Sequence, residues 1–153
     1  MKKLIYSYRL KFLESLGELR GYSDLTLKSY DESIKEALEY VEITKDKKNI
    51  IINLMPYRIK IAHLNPKTIT KKLSAIHTFV DFLNENKLKI ILKADESIKV
   101  AKTLPKPISH KHIVEALSHA NLIEKVVVNI LYTCGLRISE LSSLRLEDIS
   151  KSW

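Results

Sequence analysis

At 153 residues the chain has room for one ordinary domain, or for a small domain and part of a second. A composition of 45% hydrophobic and 29% charged residues supports a core and excludes a disordered tail, and three glycines with four prolines are too few turn formers for an all-β sandwich or barrel. The formal net charge of +8 sits wholly in residues 43–111, which hold fifteen basic against five acidic residues, as a polyanion binder or a solvated lysine-rich surface would.

Helical periodicity dominates from the first residues. Leu4, Tyr8, Phe12, Leu16 and Leu19 recur every three or four positions, which predicts a first helix whose apolar stripe stops at Gly21. Ser23 or Asp24 caps a second helix with the stripe Leu27, Tyr30, Ile34, Leu38 and Val41. A third helix is expected over roughly 46–62, broken or kinked at Pro56 or divided there into two shorter helices. Asn65-Pro66 supplies a cap and a first-turn proline for a fourth, with the stripe Ile69, Leu73, Ile76, Phe79, Val80 and Leu83.

Residues 93–109 change character. Ala94-Asp95-Glu96-Ser97 is polar, and Leu104-Pro105-Lys106-Pro107 resists helix, so this stretch reads as a linker between a domain at 1–92 and a second at 110–153. Beyond it Ser109 caps a short helix to Ser118, Asn121 caps another to about Cys134, and a third opens near Arg137 and fades at Leu144. Residues 146–149 read as the start of a strand.

The segment Tyr132-Thr133-Cys134-Gly135-Leu136-Arg137-Ile138-Ser139-Glu140-Leu141 carries the most information. An apolar helical run ends at a glycine, and two residues later an arginine stands at the start of the next helix. That placement offers a planar donor fork to a phosphate; a surface arginine paired with Glu140 within one turn is the plainer alternative. Tyr132 shares an apolar stripe with Val128 and Leu131 and reads as core. Cys134 reads as a small residue allowing close packing, since no base or metal partner is evident. Tyr6, Tyr8, Tyr22, Tyr30 and Tyr40 have helix-packing spacing. His63, His77, His110, His112 and His119 share no ligand spacing with carboxylates, and one cysteine excludes an internal disulfide, so no metal is expected. No signal peptide or membrane span is legible, which leads to the expectation of a cytoplasmic protein.

The arginine segment resembles the first-arginine motif of tyrosine recombinases, the phage-integrase and Xer family. Other stretches are similar to that family as well: Ser23-x-x-Thr26-x-x-x-Tyr30 to its second helix, residues 68–79 to its fourth, Leu104 to Ser109 to its linker, and Leu144 to Ile149 to the segment after the first arginine. The resemblance covers essentially the whole chain. It implies a mostly α fold, with a four-helix core-binding (SAM-like) domain followed by the first helices of a catalytic domain. It implies double-stranded DNA as partner, assembly of full-length members as dimers and tetramers on DNA, and strand exchange through a 3′-phosphotyrosyl intermediate without a cofactor. Arg137 is then the catalytic position, oriented by Glu140. Lys28, Thr68, Thr70, Lys71 and Lys72 on helices and Lys102 and Lys106 on the linker are the expected DNA contacts, with solvated lysines as the lesser alternative both for Lys71 and Lys72 and for Lys102 and Lys106. Only sixteen residues follow Arg137 and none is a tyrosine, so a truncated chain that binds DNA without recombining it is expected. The alternative is a non-catalytic helical DNA-binding regulator.

Overall fold

In the computed structural model the described residues are 1–101 and 104–148. The chain divides into two compact units, Met1–Lys102 and Thr103–Trp153, each of which is described by itself.

The first unit contains α1 (Lys2–Glu18), α2 (Asp24–Tyr40), α3 (Met55–Ile61) and α4 (Pro66–Glu85). A three-stranded sheet, β1 (Glu42–Asp46), β2 (Asn49–Asn53) and β3 (Ile90–Lys93), completes it. β1 and β2 form an antiparallel hairpin, and β3 lies parallel to the far edge of β2. The fold is thus mostly helical, as expected. Ser23, rather than Asp24, caps α2 by accepting from the Thr26 amide, after a turn at Gly21 whose φ of +63° suits a residue without Cβ. Asn65 accepts from the Lys67 amide at 2.9 Å, and Pro66 opens α4. The whole expected stripe of α4 is buried, and Phe12 of α1 meets Phe79 and Phe82 of α4 at centroid distances of 5.1 and 5.4 Å.

Three expectations need correction here. The buried face of α1 is Ile5, Arg9, Phe12 and Leu16, while Leu4 and Leu19 are exposed. Apolar periodicity cannot count an arginine as core, yet Arg9 is buried because Asp31 on α2 receives its guanidinium. The expected helix at 46–62 is the β-hairpin followed by the short α3. The run Ile50-Ile51-Ile52 is β-branched and bounded by asparagines, which suits a strand. Pro56 sits in the first turn of α3, where it starts a helix instead of kinking one. The stretch before 93 holds β3, whose parallel partner lies about 40 residues back and leaves no local signal.

Asn84 fixes the α4–β3 turn by donating to the Ile90 carbonyl at 3.2 Å and accepting from its amide at 2.5 Å. Three lysines near the sheet, Lys47, Lys87 and Lys89, have positive φ of 50°, 67° and 49°. A side chain there costs about 1 kcal/mol or more relative to glycine.

Residues 94–101 have no regular structure but are held to the first unit. His77 pairs with Asp95, Arg58 donates to the Glu96 carbonyl at 2.8 Å, and Ile98 is half-buried against the core. The stretch 104–109 is exposed and irregular. A broad-specificity protease is therefore expected to cut first within 104–109 and leave a stable fragment beginning at Met1. Mass spectrometry of the digest checks this; earlier cleavage inside α1 or α4 would contradict it.

The second unit holds α5 (His110–His119), α6 (Leu122–Cys134), α7 (Ile138–Ser143) and a 3-10 turn at Leu146–Asp148. Ser109 caps α5, and Asn121 with Glu124 forms a reciprocal capping box at the start of α6. The expected strand at 146–149 is replaced, over its described residues, by that turn. The Asp148 carboxylate accepts from the Arg145 amide at 2.8 Å and closes it. Ile149 lies outside the described residues. No residue of this unit from 104 to 145 is buried. Tyr132, expected in the core, is half exposed with its hydroxyl 3.2 Å from His110 Nδ1. Cys134 is exposed, and a Cβ on Gly135 would meet nothing within 4 Å, so the glycine serves its φ of +65° and not close packing.

Candidate nucleic-acid interface

α6 ends where Gly135 takes the left-handed conformation, and its amide returns to the Leu131 carbonyl at 3.1 Å. Leu136 carries the chain across, and Arg137 becomes the N-cap of α7. Three residues into that helix, Glu140 accepts from the Arg137 amide at 2.7 Å and from its guanidinium Nη1 at 2.6 Å. Arginine has no acceptor, so this is a one-sided capping box. The backbone hydrogen bond first, and the guanidinium second, hold the Glu140 carboxyl below its ordinary pKa. The Arg137 side chain is 82% exposed, and its Nε and Nη2 have no partner among the described residues. One edge of the fork is thus held by Glu140 while the other remains available for two parallel bonds to an anion.

The residues expected at the start of α4 have different surroundings. Thr68 and Lys71 are exposed, and Lys71 has no ion pair among the described residues. Thr70 is exposed, but its hydroxyl donates to the Pro66 carbonyl at 2.9 Å. Lys72 turns inward. Its ammonium lies 2.5 Å from Glu36 of α2, which also accepts from the Tyr57 hydroxyl of α3 at 3.0 Å. Burial raises the Glu36 pKa, but hydrogen bonds from Lys72 and Tyr57 outweigh it and the carboxyl titrates below its ordinary value. Burial first and Glu36 second push the Tyr57 phenol well above its usual range. Neighbours on a helix point about 100° apart, so Lys71 faces outward while Lys72 braces three helices. Lys28 on α2 and Lys106 are exposed, and Lys102 lies outside the described residues. Residues Glu36 and Arg9, which organise the first unit, carry no sequence signal because their partners are 36 and 22 positions away.

No family model matches the chain, and no solved structure matches it. Curated relatives do. Tyrosine recombinase XerD of Vibrio vulnificus is 30% identical over 95% of this chain and 52% of its own length. Tyrosine recombinase XerC of Staphylococcus aureus is 26% identical over 90% of this chain and 50% of its own length. Over nearly its whole length the chain is similar to Xer tyrosine recombinases. Tyrosine recombinase XerC of Thermodesulfovibrio yellowstonii is 27% identical over 93% of the Xer-like chain and 50% of its own length. The Xer-like chain spans about half the length of the curated relatives it matches. Among its described residues no helix is long and apolar enough to cross a membrane, and no group of three or more His, Cys, Asp or Glu side chains could hold a metal ion.

Proposed function

We propose that this chain is the N-terminal, DNA-engaging portion of a site-specific tyrosine recombinase, with its first unit, Met1–Lys102, as core-binding domain, the stretch 104–109 as linker and the remainder opening the catalytic domain. The reading is supported by the similarity to Xer recombinases over nearly the whole chain, and by the donor edge that the Arg137–Glu140 pair, in itself the plainer surface pairing, leaves open. A guanidinium held at a helix start by Glu140, whose carboxylate also accepts from the same residue's amide, and with one donor edge open, is suited to a scissile phosphate. Thr68, Lys71, Lys28 and Lys106 contact backbone phosphates and set register without reading bases. In the cytoplasm, copies of the longer protein assemble on DNA as dimers and tetramers. The chain alone binds duplex and does not cleave it.

Duplex binding measured against salt tests this. The chain is expected to bind unrelated duplexes at low salt, with Lys71→Ala removing about 0.9 from the log–log salt slope, the value of one phosphate contact. Lys72→Ala is expected to leave the slope unchanged and lower the melting temperature, since its ammonium belongs to Glu36. A slope lowered by Lys72→Ala and not by Lys71→Ala would reverse these assignments. Strand cleavage by the 153-residue chain would overturn the non-cleaving reading.

A further inference from the structure

We infer that the end of the sheet, where the β1–β2 turn and the α4–β3 turn lie side by side, is a second phosphate-binding surface for duplex nucleic acid, formed by Lys47, Lys48, Lys87 and Lys89. The register brings them together. Asp46 pairs with Asn49 across the hairpin, Ile50 pairs with Ile90 in the parallel ladder, and the Ile50 amide donates to the Lys89 carbonyl at 3.0 Å. Residues 40 positions apart in sequence thereby meet at one corner.

Two observations point to a ligand there. The four lysines are exposed and none has a hydrogen bond or ion pair through its ammonium among the described residues, although Asp46 and Glu85 lie in the same two turns. Three other cations of the unit are engaged, Arg9 and Lys35 on Asp31 and Lys72 on Glu36, while Lys71 is, like the corner lysines, without an ion pair among the described residues. Independently, Lys47, Lys87 and Lys89 occupy left-handed backbone at φ of 50°, 67° and 49°. Glycine or asparagine fits such positions with less strain, so a long cationic side chain at three of them is chemistry held against local conformational preference.

The occupant follows from charge and spacing. Unpaired ammonium groups on an open surface suit the diffuse negative charge of a phosphate backbone. Lys71 stands 14 residues, about 21 Å along the axis, before the C-terminal end of α4 that leads to this corner, a separation that one duplex can bridge. The inference rests on the reading of the chain as a duplex binder, which it extends to a second contact.

The test replaces Lys47, Lys87 and Lys89 with asparagine and Lys48 with glutamine. Asparagine tolerates the left-handed region, so the variant is expected to melt at or above the wild-type temperature while losing four charges. Its binding to a 30-base-pair duplex is expected to weaken at least tenfold at low salt, with the log–log slope falling by roughly two to four times 0.9. Arginine at all four positions is expected to restore both. In parallel, wild-type chain acetylated with and without duplex is expected to show protection at these four lysines by mass spectrometry, a measurement independent of any variant's folding. Wild-type slope and unprotected lysines, in a chain where Lys71→Ala still lowers the slope, would overturn the corner and leave the duplex reading standing. Absence of duplex binding by the wild-type chain at low salt would overturn both.

Discussion

In a polypeptide that carries this chain together with the remaining length of its relatives, Arg137→Lys is expected to cut strand cleavage by about two to three orders of magnitude while leaving duplex affinity nearly unchanged. Lysine keeps the positive charge, so the electrostatic attraction to DNA survives. It loses the planar fork, which alone can present two parallel donors to the non-bridging oxygens as charge builds there. The hydrogen bond from the residue 137 amide to Glu140 is a backbone contact and survives the substitution, so α7 should retain its start. Glu140→Gln supplies the complementary result. It removes the ionic hold on Nη1 but leaves an acceptor, and a smaller loss of rate is expected. Single-turnover cleavage of a suicide duplex separates these outcomes from binding. Cleavage near the wild-type rate by the Arg137→Lys protein would remove this residue from the chemistry.

Asp31→Ala is expected to destabilise the first unit by roughly 2–4 kcal/mol, lowering its melting temperature by about 10 °C or more. Arg9 is buried with its Nε already lacking a partner, and Asp31 is the group that compensates its guanidinium while also holding Lys35 at 2.7 Å. Removing the acid strands a charge inside the helix interface. Replacing both members, Arg9→Met with Asp31→Leu, is expected to recover most of the loss, because the desolvation cost leaves with the charge. The same pair makes the unit acid-sensitive. Burial raises the Asp31 pKa, but hydrogen bonds from Lys35 and Arg9 outweigh it, and the net shift is below the ordinary value of 3.8. Glu36 is likewise lowered from 4.5. Both carboxyls ionise more readily folded than unfolded, so their stabilisation is complete above those ordinary values and drains away as pH falls through the folded ones. Thermal melts from pH 7 down to about pH 3 measure this, and Asp31→Ala should flatten the acid limb. A wild-type melting temperature for Asp31→Ala would show that Arg9 finds other compensation.

What could be read from residues alone followed local rules. The caps at Ser23, Asn65, Ser109 and Asn121 act within three residues, and each is present. The α4 stripe was legible because six apolar side chains on one helical face have no competing explanation. The hairpin was missed for the opposite reason. Its isoleucine run is short enough to suit either strand or helix, and the strand that decides it, β3, arrives only after α4. At the candidate site, the Gly135–Arg137–Glu140 geometry is contained within six residues and could be anticipated. The division of labour between Lys71 and Lys72 could not, because it depends on where α2 places Glu36.

The parallel pairing of β2 with β3 has a consequence for the order in which this unit is made. The hairpin is complete once Asn53 has been synthesised, but the outer edge of β2, a run of three isoleucines, has no strand to pair with until Lys93 has followed. During that interval of 40 residues the nascent chain displays a β-branched edge of the kind that recruits a second chain. α4 emerges within the same interval and is the segment that delivers β3, so docking its buried stripe is the event that closes the edge. Slow synthesis through α4 lengthens the exposure, and a substitution that delays α4 docking does the same without touching the sheet.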